Sequence, residues 1–100
     1  MNLDAAFRKA LIYLDTGKEE AAKELLDAIY QESLETDDSL HLVQSSCALG
    51  QYYYNRDEFT NARHYLDITV STPLEEGLDD LLAYEINVAN ELLLELDAKN

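Results

Sequence analysis

The clearest structural signal in this sequence is the stretch Ala48-Leu49-Gly50-Gln51-Tyr52-Tyr53-Tyr54, together with the residues that follow it as far as Leu66. If it forms two helices joined by a tight turn, a Leu-Gly pair lies one turn before Tyr53 on the first helix. A second small residue, Ala62, follows twelve positions after Gly50. The stretch is therefore a candidate helix-turn-helix unit.

A related pattern occurs forty positions earlier in the chain. Five aligned pairs keep their small, aromatic, turn or aliphatic character: Gly50 with Ala10, Tyr53 with Tyr13, Asp57 with Gly17, Ala62 with Ala22, and Leu66 with Leu26. A forward shift of forty aligns Leu49 with Ala89, Tyr53 with Leu93, and Asp57 with Asp97. Self-similarity at a fixed period is typical of repeat proteins. The sequence therefore predicts two repeats followed by the first helix of a third.

This spacing resembles the tetratricopeptide repeat (TPR) family, whose helix-turn-helix units stack into a solenoid. In a TPR, a small residue on each helix allows the two backbones to approach, and the resemblance assigns this role to Gly50 and Ala62. The large apolar residues that fill the space around this contact are Leu49, Tyr53, Phe59 and Leu66. The period exceeds the usual ~34 residues, as in the longer repeats of bacterial regulators that sense short peptides.

The resemblance implies an all-α fold, a TPR-like antiparallel helix-turn-helix solenoid of five helices. One domain would span residues 1–100, with repeat 1 at about 2–36, repeat 2 at about 39–72 and a capping helix at about 78–98. Apolar residues at i, i+3 and i+4 also predict helices over most of this length. Asp57 is a candidate N-cap for the fourth helix.

The predicted fifth helix carries more apolar surface than the terminal helix of a solenoid requires. Its apolar positions spread over roughly 160° of the helix circumference. Three explanations are open: the helix folds back over helices three and four, it forms a homodimer seam, or it is the docking face for another protein. Glu85 falls inside the apolar stripe. Because a lone buried carboxylate is unfavourable, we hypothesise that Arg56 or Arg63 pairs with it.

The composition is that of one folded, helical domain. The 100 residues are 47% apolar, which excludes a disordered chain, and one Pro and three Gly are too few for an all-β fold. Cys47 is the only cysteine, so an intramolecular disulfide is excluded and a reducing compartment is indicated. Neither a signal peptide nor an apolar segment of membrane-spanning length is apparent, and we therefore predict a cytoplasmic location.

The formal net charge of −14 is the strongest compositional signal. Twenty-one acidic residues face seven basic ones, and residues 64–98 contain no Lys or Arg. The nine acids of that segment are Asp67, Glu75, Glu76, Asp79, Asp80, Glu85, Glu91, Glu95 and Asp97. This balance argues against direct binding to a nucleic-acid backbone or to an anionic membrane. It predicts a basic protein partner or a role in solubility.

Catalytic and metal-binding motifs are not apparent in the sequence. The histidines, His41 and His64, lack a metal-ligand spacing such as H-E-x-x-H. Cys47 has no His close to it in sequence, and the Asp pairs lack the alternating ligands and the Gly of a calcium loop. A G-x-S-x-G motif is absent as well. The sequence therefore predicts a protein that is not an enzyme and uses no cofactor or metal.

In TPR proteins the first helix of each repeat lines a concave groove that holds a peptide. By this resemblance, the residues that we predict to bind a peptide or protein partner are Gln44, Gln51, Tyr54, Asn55, Tyr84, Asn87 and Glu91. The amides would bond to the peptide backbone, the tyrosines would supply packing area, and Glu91 would supply charge. Further groove positions are Asp4, Phe7, Leu11, Leu14, Asp15, Cys47, Leu94 and Glu95. The family's two-lysine-and-asparagine clamp for a C-terminal carboxylate is absent, because this groove contains no Lys.

The sequence thus predicts a module that binds a protein or peptide of basic character. The alternative is an acidic nucleic-acid mimic that occupies the binding surface of a DNA- or RNA-binding protein, which the base-free residues 64–98 suggest. A third possibility is a peptide-sensing fragment of a larger regulator. Salt distinguishes the first two, because a mimic loses affinity steeply with ionic strength and an apolar groove loses less.

Overall fold

The computed structural model describes residues 1–99, and every regular element in this range is an α-helix. The six helices are α1 (Leu3–Asp15), α2 (Glu19–Glu35), α3 (Ser39–Asn55), α4 (Phe59–Ser71), α5 (Leu78–Leu81) and α6 (Ala83–Ala98). The all-α class predicted from the sequence is therefore confirmed. Residue 100, the end of the predicted domain, lies outside the described residues.

The turns that follow α1, α2 and α3 share one backbone conformation. Each contains a residue in the left-handed region: Gly17 at φ 79°, Asp37 at φ 54° and Asp57 at φ 61°. In each turn a backbone N–H donates to a carbonyl five positions earlier: Lys18 to Tyr13 at 2.8 Å, Asp38 to Ser33 at 2.9 Å, and Glu58 to Tyr53 at 3.0 Å. This Schellman arrangement satisfies the free carbonyls at a helix end. The left-handed residues lie twenty positions apart, and Gly77, at φ 94°, continues the series.

Asp57 does not cap α4 as the sequence predicted. It is the left-handed residue of the preceding turn, a conformation that Asp tolerates better than most side chains, and Glu58 takes the N-cap position without a side-chain hydrogen bond. Asp38 does cap its helix, since its carboxylate accepts a hydrogen bond from His41 N at 3.0 Å. Asp57 corresponds to Asp37 of the preceding turn, and Asp38 lies one position later, at the N-cap. This offset of one residue gives Asp38 and Asp57 different roles.

Helices that are consecutive in the chain pack side by side from α1 to α4, and α6 packs on α4 and α3. The core has two parts. The buried residues of the first are Ala6, Ala10, Leu26, Ile29, Tyr30 and Leu49. The buried residues of the second are Ala62, Leu66, Ala89 and Leu96. Tyr53 packs against both parts, so α3 connects them.

Gly50 on α3 packs directly against Leu66 on α4. A Cβ atom on Gly50 would be 2.5 Å from Cδ2 and 2.7 Å from Cγ of Leu66. Leu66 is fully buried, as is Ala62. The small residue on α3 is thus required as predicted, but the group that it accommodates is the Leu66 side chain.

The predicted fifth helix is divided into α5 and α6, so the predicted count of five helices is wrong. The division is at Leu82, where ψ is 16° and departs from the helical value of about −42°. Leu82 is buried, which anchors the bend in the core. Of the three explanations for the apolar surface of this segment, packing over α3 and α4 is what the structure shows. The homodimer seam stays a prediction.

His41 connects the N-terminal ends of α1 and α3. Its Nδ1 lies 2.7 Å from Asp38 Oδ2, and its Nε2 lies 2.6 Å from Asp4 Oδ1. A neutral imidazole has one N–H, so both contacts are hydrogen bonds only when the ring is protonated. Burial by itself lowers the pKa of His41, but the hydrogen bonds and charges of Asp38 and Asp4 outweigh it and raise that pKa. Burial alone would raise the pKa of Asp38, whereas its bonds to His41 lower it.

We expect Gly50→Ala to destabilise the protein. Overpacking against Leu66 costs about 1–3 kcal/mol, and the better helix propensity of Ala returns about 1 kcal/mol. Urea unfolding of the wild type, both single variants and the Gly50→Ala/Leu66→Ala double variant measures this. The cost of Gly50→Ala should largely disappear when Leu66 is already Ala. Additive costs would show that the two residues are not in contact.

We also expect the stability of the protein to depend on the charge of His41. Because its folded pKa is raised, its contribution is complete below the ordinary value of 6.5 and is lost as pH rises through the folded pKa. Because the folded pKa of Asp38 is lowered, that residue's contribution is lost in acid, below its ordinary value of 3.8. The pair therefore stabilises most between these two values.

Urea unfolding at a series of pH values checks this expectation. His41→Gln should lower the free energy of unfolding near pH 6 by roughly 1.5 kcal/mol. It should also reduce the loss of stability that the wild type shows as pH rises above 6.5. The control is His64→Gln, since His64 is exposed and its ring packs on Tyr65. Equal pH profiles for wild type and His41→Gln would contradict a charged His41 in the folded protein.

Candidate binding groove

A groove of about 440 Å³ is bounded by residues of α1, α3 and α6. Its lining comes mainly from these three helices, which are the ones that the sequence predicted to face a groove. The lining residues are Phe7, Leu11, Leu14, Glu19, Gln44, Cys47, Ala48, Gln51, Tyr52, Asn55, Arg56, Tyr84 and Glu85. Apolar and polar side chains are both present, which is the usual chemistry of a ligand site.

The α1 side of the groove is apolar. Phe7, Leu11 and Leu14 are three or four positions apart and therefore share one helix face. Phe7 and Leu14 are half-buried against the first part of the core, while Leu11 is 41% exposed. This wall therefore presents aliphatic and aromatic surface that is supported from behind.

The α3 side carries amide groups and a thiol. Gln44, Cys47, Gln51 and Asn55 follow one another at helical spacing and form one stripe. Gln51 Nε2 donates to Cys47 Sγ at 3.2 Å. Within residues 1–99 the side chains of Gln44 and Asn55 make no hydrogen bond, so their donors and acceptors are available to a ligand.

Cys47 forms part of the groove floor and is buried. Its Sγ donates to the backbone carbonyl of Glu85 at 3.6 Å, which connects α3 to α6. Burial, with the nearby negative charge of Glu85, raises the pKa of the Cys47 thiol to about 11. The thiol is thus protonated at neutral pH and acts as a packing group, because nucleophilic chemistry requires the thiolate.

The charged groups of the groove are Arg56, Glu19 and Glu85. Arg56 is 3.2 Å from Glu19 and 3.8 Å from Glu58, and its guanidinium lies over the Tyr52 ring. Glu85 is half-buried. The hypothesis that Arg56 or Arg63 pairs with Glu85 is wrong, because Arg63 also has another partner, Asp97, at 2.9 Å.

The structure brings four of the seven predicted site residues into the groove: Gln44, Gln51, Asn55 and Tyr84. Tyr84 is 68% exposed and stands at the α6 rim. The other three do not line the groove. Asn87 and Glu91 are exposed elsewhere on α6, and Tyr54 donates to Glu95 at 2.5 Å and packs on Phe59. Whether any of the seven binds a partner stays a prediction.

The sequence did not predict five of the lining residues: Glu19, Ala48, Tyr52, Arg56 and Glu85. Arg56 and Glu19 are 37 positions apart, and their pairing follows from the packing of the α1–α2 turn beside the end of α3. Glu85 had one available signal, its place as an acid within an apolar stripe. In the structure this acid lines the groove, and neither Arg56 nor Arg63 pairs with it.

Neither a metal-ligand cluster nor a helix able to span a membrane occurs within residues 1–99. In this range there is no group of three or more His, Cys, Asp or Glu side chains arranged to hold a metal ion. Among the helices of the same range, none combines the length and apolar character needed to cross a membrane.

Comparison of the chain with protein-family models, with curated proteins and with solved structures finds no match.

Proposed function

We propose that this protein is a TPR-like module that binds a peptide segment of a basic protein partner in the groove between α1, α3 and α6. The observation that carries the proposal is the groove itself, in which an apolar wall faces hydrogen-bonding groups that have no partner within the described chain. An extended peptide needs both features, since its backbone requires hydrogen bonds and its side chains require apolar surface.

The helix arrangement supports a TPR-like solenoid. The left-handed residues at twenty-residue spacing divide the chain into helix-plus-turn units, and two such units make the forty-residue repeat. α6 packs on α3 and α4, as α3 packs on α1 and α2. In such an array the first helix of each repeat lies on one side, and here those helices are α1, α3 and α6.

The charge of the protein supports a basic partner. The groove lining contains two carboxylates and one guanidinium, and the whole chain has a net charge of −14. Such a field accelerates association with basic segments and disfavours acidic ones. The free, buried Cys47 supports a reducing location such as the cytoplasm.

The nucleic-acid mimic remains the alternative, because eight of the nine acids in residues 64–98 are exposed and one, Glu85, is half-buried. Two of the eight have local partners, Glu95 with Tyr54 and Asp97 with Arg63. In that alternative the groove has no role, and the acidic surface alone binds a basic protein.

Selection of a random peptide display library against the folded protein tests the proposal. We expect enriched peptides to bind the wild type and to bind Gln44→Ala/Asn55→Ala roughly tenfold more weakly, because each lost hydrogen bond contributes about 0.5–1.5 kcal/mol. Fluorescence anisotropy with labelled peptides measures the affinities. The matched control is Gln31→Ala/Asn90→Ala, which removes the same two side-chain types at exposed positions outside the groove.

The outcome also separates the two candidate functions. Binding that persists at high ionic strength and weakens only in the groove variant supports the groove. Basic peptides that bind both double variants equally, and dissociate as salt is raised, would contradict it and favour the acidic mimic.

A further inference from the structure

Glu85 is a groove carboxylate without a charged partner. It belongs to the α6 wall and is half-buried, and none of the ion pairs formed within residues 1–99 includes it. Its backbone is fixed by the contact between its carbonyl and Cys47 Sγ. The carboxylate therefore belongs to a segment of α6 that is anchored on the groove floor.

The cation within the same groove is already neutralised. The Arg56 guanidinium lies between Glu19 and Glu58 and over the face of Tyr52, 5.0 Å from the ring centre. These contacts hold Arg56 by charge and by packing, and moving it to Glu85 would break all of them. A positive charge that pairs with Glu85 must therefore come from a group other than Arg56.

Glu85 is part of the groove lining, and its backbone carbonyl contacts Cys47 Sγ on the groove floor. Its negative charge also raises the pKa of the Cys47 thiol, after the larger effect of burial. A carboxylate that is partly removed from water and has no counter-ion is less stable than one that is paired. A bound cation would relieve this cost, so the groove favours a ligand with a positive charge at this position.

The α1 wall, on the other side of the groove from Glu85, favours an apolar group of the ligand. Phe7, Leu11 and Leu14 supply apolar surface, and Leu11 is exposed when the groove is empty. α3 lies between the two walls, since both α1 and α6 pack on it. One ligand that contacts both walls therefore has an apolar group and a cationic group on separate side chains.

Resting on the proposed function of the groove, we propose that its ligand is a peptide segment that places a Lys or Arg side chain at Glu85 and an aliphatic or aromatic side chain on Phe7, Leu11 and Leu14. Tyr84, which is next to Glu85 and lines the rim, adds a ring face for the same cation. Long basic side chains suit this position because their methylene stems can cover apolar surface while the charge reaches the carboxylate.

Parallel selection of one random peptide display library against the wild type and Glu85→Lys tests the proposal. The wild type should enrich Lys and Arg together with apolar residues, and Glu85→Lys should enrich Asp and Glu in their place. Peptides selected on the wild type should bind Glu85→Gln roughly tenfold more weakly, as expected for a charged hydrogen bond in a half-buried site. Glu76→Gln is the matched control, since Glu76 is exposed in the α4–α5 connection and loses the same charge.

Substitution on the peptide completes a double-mutant cycle. Replacing the selected Lys or Arg by Met should weaken binding to the wild type and leave binding to Glu85→Gln unchanged. If a Glu85 variant fails to fold, the peptide substitution can still be measured, because it uses the wild-type protein.

Three results would overturn the proposal. Peptides that depend on Gln44 and Asn55 but show no basic enrichment and bind Glu85→Gln normally would leave the proposed function standing and refute the cation site. Peptides that ignore all groove variants would refute both. A homodimer, seen by light scattering, that groove variants dissociate and peptides do not displace would identify a second copy of the chain as the occupant.

Discussion

The arrangement of the helices depends on a left-handed residue after each of the first three. Gly17, Asp37 and Asp57 end their helices with the same hydrogen bonds and reverse the chain within three residues. Two successive reversals restore the original chain direction, so α1 and α3 run the same way and present their side chains on the same side. The groove follows from this geometry, because Phe7 on α1 and Gln44 on α3 then face a common space.

The central helix α3 contacts α1, α2, α4 and α6, and its remaining face lines the groove. Close packing is possible because α3 carries Gly50, Ser45 and Ser46, whose side chains are small or absent. The hydroxyls have hydrogen-bond partners: Ser45 donates to His41 O at 2.7 Å within α3, and Ser46 Oγ lies 2.9 Å from Thr69 Oγ1 on α4. Their burial therefore leaves no unpaired polar group, which is what permits a polar sequence at the centre of a helical core.

Much of the helical framework could be predicted, because apolar periodicity and turn residues are local signals. The predictions are wrong where a contact joins residues that are distant in the sequence, or where two structural roles differ by a single position in the chain. Asp57 fits either a left-handed turn or an N-cap, and no Pro or Gly marks the bend at Leu82. Helical spacing indicated which face of α3 lines the groove, but it could not show that Tyr54 turns to Glu95 on another helix. The bond between His41 and Asp4 spans 37 positions and has no local signature.

The acidic residues act over two different distances, which explains why the net charge is compatible with both candidate functions. Exposed carboxylates, such as Asp67 and Glu75, are screened within a Debye length of about 8–10 Å at moderate salt, so their joint effect is to attract basic partners. Glu85 is half-buried in the lining of the groove, where screening is weaker. The field of the exposed carboxylates determines the rate of association with a basic partner. A half-buried carboxylate determines which residue of a bound peptide lies next to it. A nucleic-acid mimic needs only the exposed carboxylates, whereas a groove that selects its ligand needs the half-buried carboxylate as well.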